Sequence, residues 1–203
     1  MPLLFLMRHA ESEANVQNIL AGQQDFALSA QGRSDAAALA GDFTARFHPR
    51  ILVCSPLRRA RETMAPFSER LHIDPTIDPR VIEQNLGRFS GMTYAQAEAD
   101  PAYNQDRGAR WDWRPDGGGE SYRVIADRVQ SFLNDAASWN EDALVVTHAV
   151  AMRLFRACLE QTLPSYPEHV AANGEVWRCD LSRRGTPAVI ETLHLGHHRD
   201  HKA

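Results

Sequence analysis

The chain is almost without lysine: of its 22 basic residues only Lys202 is one, and the other 21 are arginines. A GC-rich coding sequence accounts for such a bias. Arginine also suits phosphate recognition, because its guanidinium is planar, bidentate and always charged. Cysteine is scarce. Cys54, Cys158 and Cys179 lie far apart and form no Cys-x-x-Cys. An odd, sparse set of this kind predicts reduced thiols and a cytoplasmic location. No apolar run approaches the length of a membrane span. Residues 2–7 are too few, and lack the basic front end, for a signal peptide. There is no internal repeat and no low-complexity tract. Positive charge is not in excess either: the net charge of −4 speaks against a nucleic-acid partner, which would favour a basic chain.

What remains is an ordinary globular composition, 43% hydrophobic and 24% charged over 203 residues, enough for a substantial core. We read it as one domain, 1–203, with a tail from 195. Three short apolar runs read as strands buried on both faces: Leu3 to Met7, Ile51 to Cys54 and Ala143 to Thr147. Helical spacing or capping signals predict helices over about Ala30 to Phe47, from a Ser55 cap with Pro56 in the first turn to Leu71, over about Glu120 to Trp139, and over Ala149 to Leu163. A weaker strand is expected at Ile73 to Ile77, and two later ones near Val176 to Leu181 and Ala188 to His194. Alternating strands and helices imply an α/β three-layer sandwich, a mostly parallel sheet with helices on both faces.

Between Asp78 and Gly119 the pattern is irregular apart from a short helix near Thr93 to Ala99. A long irregular segment in a compact domain is often a binding region, so 92–119 is read as a lid or specificity insertion. Trp111 and Trp113 would line that lid or pack beneath it. The tail histidines His194, His197, His198 and His201 have a spacing that can hold zinc, but they stand at the terminus without a cysteine, and a solvated tail is the expectation.

Each buried strand ends in residues suited to an anion. The first ends in Arg8-His9, the second in Ser55-Pro56-Leu57-Arg58-Arg59, the third in Thr147-His148. An Arg-His pair alone means little, since 21 arginines and 9 histidines give roughly one by chance. Three strand ends equipped alike mean more, because ligands bind at the carboxyl edge of such sheets.

These residues resemble the histidine phosphatase superfamily, which includes the cofactor-dependent phosphoglycerate mutases. Arg8-His9-Ala10-Glu11 is similar to its Arg-His-Gly-Glu signature. Ser55-Pro56-Leu57-Arg58-Arg59-Ala60-Arg61-Glu62-Thr63 resembles its Ser-x-Leu-x-Arg-Ala-x-x-Thr helix start. Ile82-Glu83, the turn Gly87-Arg88-Phe89-Ser90-Gly91-Met92-Thr93, Gly118-Gly119-Glu120-Ser121 and Val145-Val146-Thr147-His148 follow in the family's order, from Leu3 to about Arg153.

The resemblance implies a phosphoglycerate mutase-like fold and a phosphohistidine at His9. It assigns Arg8, Arg59 and His148 to the phosphoryl group and Glu83 to general acid and then base. Asn15, Ala149 and Ser121 are carried over as phosphate- or substrate-binding positions. It implies no cofactor and no metal. The partner expected is a small phosphate ester, with neither nucleic acid nor membrane; a homodimer is compatible with the sequence, which does not decide the oligomeric state.

The chemistry is consistent with these roles. An attacking imidazole must be neutral, and Arg8 and Arg59 disfavour imidazolium at His9. Arginine forks and a charged His148 would stabilise the equatorial oxygens. Glu83 stands among the same cations, which favour its ionised form, whereas a general acid must arrive protonated. Ala10 and Ala149 replace family glycines, so a pocket of slightly different shape is expected. The absence of lysine after Gly91 favours a metal-independent phosphomonoesterase over a mutase. A phosphate-ester binding module without turnover is the non-enzymatic alternative.

Overall fold

A computed structural model describes residues 2–181 and 187–195. Of the tail histidines, His197, His198 and His201 lie outside the described residues.

Six strands form one sheet in the order β3-β2-β4-β1-β5-β6. They are β1 (Leu3–Arg8), β2 (Ile51–Cys54), β3 (Thr76–Ile77), β4 (Ala143–Thr147), β5 (Val176–Asp180) and β6 (Val189–Leu193). The first four run parallel; β5 is antiparallel to β1, and β6 to β5. The helices are α1 (Glu13–Val16), α2 (Ala30–Thr44), α3 (Arg58–Leu71), α4 (Tyr94–Glu98), α5 (Tyr122–Ala136) and α6 (Ala149–Glu160).

The apolar runs lack polar alternation because both faces of their strands are covered. Phe5, Met7, Leu52, Cys54, Leu144 and Val146 pack with Leu39, Ala40 and Phe43 of α2 and Ala60, Met64 and Phe67 of α3. Leu4, Leu6, Val53 and Val145 join α5 and α6 through Ile125, Val129, Phe132, Leu154 and Phe155. Each such fully buried Leu, Phe or Met contributes about 1.5–3 kcal/mol. The period of two thus sorts each strand's side chains between two cores, one per helix layer.

Several boundaries differ from the sequence expectation. Helix α3 begins at Arg58, with Leu57 at the cap position. Ser55 does not cap it; its hydroxyl accepts from Leu57 N–H at 3.3 Å and meets His148 Nε2 at 2.7 Å. The strand after α3 is only Thr76–Ile77. Helix α2 stops at Thr44, and α6 at Glu160, where Gln161 turns left-handed at φ 57°. Trp113 packs at a tilt on Phe89 and edge-on against Tyr103, and Trp111 packs on the α5–α6 core. Both are packing residues.

Candidate active site

Register brings the three strand ends to one edge. Arg8 stands opposite Thr147, and Cys54 opposite Val146. The next residues are therefore neighbours: His9 N–H donates to Thr147 O at 3.0 Å, and Ser55 N–H to Val146 O at 3.1 Å. The imidazoles of His9 and His148 lie 5.1 Å apart, centroid to centroid.

His9 is nearly buried, and its Nδ1 is 2.7 Å from Ala10 O. A carbonyl can only accept, so Nδ1 carries the hydrogen and Nε2 keeps its lone pair. Burial holds the His9 pKa well below 6.5, with Arg59 and Arg8 adding to the effect. The expectation of a neutral His9 agrees, although burial outweighs the arginines.

His148 departs from expectation. It is fully buried, and burial, followed by the Arg59 charge, pulls its pKa well below 6.5. In the ligand-free protein it is neutral rather than charged. Its Nδ1 is buried and has no partner among the described residues.

The arginines are held by backbone carbonyls, leaving their charge unspent. Arg8 NH1 donates to Ala171 O at 2.6 Å, and its Nε is buried with no partner among the described residues. Arg59, 2% exposed, donates to Gly22 O and Gln24 O, both at 2.8 Å. Burial lowers its pKa to about 10. A buried donor without an acceptor costs about 1–3 kcal/mol, which an anion would recover.

Glu83 is fixed from several sides. Its Oε1 accepts from Gln84 N–H at 2.9 Å, and its Oε2 from Val150 N–H at 3.3 Å in the first turn of α6. Gln23 Nε2 and Arg128 NH2 donate to its carbonyl, and Thr147 Oγ1 donates to Val81 O nearby at 2.6 Å.

Arg8, His9, Asn15, Arg59, Glu83 and Ala149 line one cleft of about 830 Å³. His148 sits behind its wall, against His9. Asn15 Oδ1 accepts from Ser12 and from Asn173 Nδ2, which leaves its amide NH₂ as the available donor. Ser121 is not part of the cleft. It is buried at the N-cap position of α5, and its neighbour Tyr122 occupies the wall instead. Ala10 fits without strain, its methyl packed against Leu28 and Ala36.

Sequence reasoning missed the turn at 171–175. Gly174 N–H donates to both Arg8 O and His9 O, and Asn173 Nδ2 to His9 O at 3.1 Å. Gly174 holds φ at +76°, which favours glycine. The only sequence signal was an Asn-Gly pair, which marks a turn but not what the turn grips. Also unforeseen were Arg107, Arg110 and Arg153 on the cleft wall.

The neutral histidines link the site to stability. Unfolded, both titrate near 6.5; folded, they resist protonation below that. Under pH 6.5 the unfolded chain binds more protons, so stability falls as pH drops, by at most about 1.4 kcal/mol per histidine per pH unit. Thermal melts between pH 7.5 and 5 should show a shallower decline for His148→Asn than for the wild type. Equal slopes would refute buried neutral histidines.

The profile of the histidine phosphatase superfamily (branch 1) matches residues 4–191. Glucosyl-3-phosphoglycerate phosphatase of Mycobacterium tuberculosis is 37% identical over 135 residues, 64% of this chain and 58% of that protein. The chain thus spans a little over half of that relative's length. Phosphoserine phosphatase 1 of Hydrogenobacter thermophilus is 34% identical over 162 residues, 77% of this chain and 75% of that protein. The structure of mycobacterial glucosyl-3-phosphoglycerate phosphatase with VO3 superposes at a TM-score of 0.80 and 26% identity, covering 97% of this chain and all of the other. Paired histidines and arginines at one sheet edge, within a profile match that runs from β1 into β6, place the chain in the histidine phosphatase superfamily.

Proposed function

We propose that the protein is a phosphomonoesterase that hydrolyses a small soluble phosphate ester through a phosphohistidine at His9. The observation that carries this reading is the neutral His9 with its hydrogen committed to Ala10 O, beside Arg8 and Arg59, which form no ion pair among the described residues.

The phosphoryl group binds to Arg8 and Arg59, with Asn15 as a further donor. Ser55 Oγ accepts from Leu57 N–H, so its own hydrogen is free for His148 Nε2. That assignment leaves Nδ1–H of His148 as a donor for a phosphoryl oxygen. His9 Nε2 attacks phosphorus as the ester P–O bond breaks, and Glu83 gives its proton to the leaving oxygen. Water then attacks the phosphohistidine, Glu83 takes its proton, the P–N bond breaks and its electron pair returns to Nε2. The net reaction is ester plus water to alcohol plus phosphate. Segment 92–119 supplies Tyr94, Tyr103, Arg107 and Arg110 to the outer wall and acts as the specificity insertion.

The cytoplasm is the compartment we infer. The three cysteines are free and buried, and burial pushes the Cys54 and Cys158 thiols up to about 12. Among the described residues no helix is long and apolar enough to cross a membrane.

The test is product analysis. Purified protein should release inorganic phosphate from 4-nitrophenyl phosphate and from alkyl phosphates, undiminished by EDTA. Interconversion of 2- and 3-phosphoglycerate without phosphate release would replace the phosphatase reading with a mutase.

A further inference from the structure

The turn at 171–175 stands at the active edge because of strand direction. Strand β5 runs antiparallel to β1, with Val176 opposite Met7. The turn that leads into β5 therefore meets the carboxyl end of β1, where Arg8 and His9 lie. A parallel neighbour would have delivered it to the opposite edge.

This turn is braced by its own contacts. Buried Glu175 gathers three donors on its carboxylate: Ala172 N–H at 2.7 Å, His169 Nε2 at 3.0 Å and Trp177 Nε1. Backbone bonds then join the turn to β1. Arg8 N–H donates to Glu175 O at 3.1 Å, and Gly174 N–H donates to Arg8 O and His9 O. None of these bonds uses the side chain of Asn173.

That side chain serves the site instead. Its Nδ2 donates to His9 O at 3.1 Å, to Asn15 Oδ1 at 3.2 Å and, more weakly, to Ala10 O at 3.4 Å. Each acceptor bears on the chemistry. His9 O belongs to the nucleophile. Ala10 O takes the His9 Nδ1 hydrogen and so leaves Nε2 its lone pair. Donors on Asn15 Oδ1 turn the NH₂ of that amide toward the cleft, whereas a flipped amide would set an oxygen against a phosphoryl oxygen. The other donors to Asn15 Oδ1 both come from Ser12, in the capping box of α1. Helix α1 has four residues, too few to hold its place alone. Asn173 ties that box to the end of β1. It is not itself on the cleft wall, so it works through its neighbours.

We propose that Asn173 is a positioning residue for phosphoryl transfer, holding the nucleophile His9 and the phosphate-binding amide of Asn15 in fixed relation. This rests on the phosphomonoesterase reading, which gives His9 and Asn15 those roles.

The test uses Asn173→Ala, Asn173→Asp, Asn15→Ala and the double variant Asn173→Ala/Asn15→Ala. Calorimetry gives Kd for inorganic phosphate, and 4-nitrophenyl phosphate gives kcat and KM. Asn173→Ala should lower kcat by roughly ten- to a hundredfold, as a displaced nucleophile does. It should weaken phosphate binding by about tenfold. Asn173→Asp has the same shape and should do no better, because it sets a carboxylate against the oxygens the amide served. Phosphate Kd of the double variant should stay within about twofold of Asn15→Ala, since Asn173 reaches phosphate only through Asn15. Its kcat should still fall below that of Asn15→Ala, because the His9 contact is lost as well. A kcat for Asn173→Asp within about threefold of wild type overturns the proposal, well under the loss a displaced nucleophile brings. So does an unchanged phosphate Kd in Asn173→Ala, or a loss that adds in full to that of Asn15→Ala, the mark of general loosening. Melting curves report folding; if Asn173→Ala does not fold, Asn173→Asp or Asn173→Ser takes its place in the cycle. Failure of the phosphatase reading is distinct: the wild type then hydrolyses no ester, and the phosphate cycle still decides whether Asn173 acts through Asn15.

Discussion

Replacing His9 by alanine should lower kcat/KM for every phosphate ester by about ten-thousandfold or more, the loss expected if His9 is the proposed covalent nucleophile. The size follows from the absence of a substitute. His148 is the imidazole packed against His9, but it is fully buried and its Nε2 is engaged by Ser55. Arg8 and Arg59 keep their carbonyl partners in the variant, so an anion still has its cations. Binding of inorganic phosphate should therefore survive within a few-fold while turnover is lost. Rapid quench of the wild type with labelled ester, under alkaline conditions that preserve a P–N bond, should trap label on His9. Label on the His9→Ala protein, or activity within tenfold of wild type, would show that the nucleophile is elsewhere.

The second large effect depends on the leaving group. Glu83→Gln keeps the shape of the side chain, but its single oxygen can accept from only one of the Gln84 and Val150 N–H groups, which meet different carboxylate oxygens in the wild type. The group that can give and take a proton is removed. For an alkyl phosphate, whose alkoxide leaves poorly without protonation, the loss should be on the order of a thousandfold. For 4-nitrophenyl phosphate, whose phenolate needs little help, the phosphorylation step should slow by only about tenfold. Steady-state and single-turnover rates across a series of leaving groups measure the contrast. Equal losses along the whole series would mean that Glu83 positions the loop rather than moving a proton.

Much of the fold was legible because its strands bury both faces. Runs such as Leu3–Met7 and Ala143–Thr147 have no polar alternation, and the two cores that absorb their side chains explain why. The antiparallel orientation of β5 and β6 was not legible, since a strand's own residues do not state its direction. Helix starts shifted where a residue had other employment. Ser55 looks like a cap, but its hydroxyl goes to His148, a partner 93 positions away. Ser121 looks like a substrate contact, yet it is buried at the N-cap position of α5 and Tyr122 takes the wall.

The sequence by itself determined which chemistry is available: Arg8-His9, Arg59, Glu83 and His148, each next to a recognisable strand or helix start. Local spacing suffices there, because periodicity and turn chemistry act over a few residues. Only the tertiary structure decided the protonation state of His148, since desolvation is a property of what surrounds a ring. It alone decided that the turn at Asn173-Gly174 grips the backbone of His9, and that Arg110 and Arg153 from separate elements share one cleft with Arg59. Those contacts join residues far apart in the chain, and their meeting is settled by register and packing rather than by any local pattern.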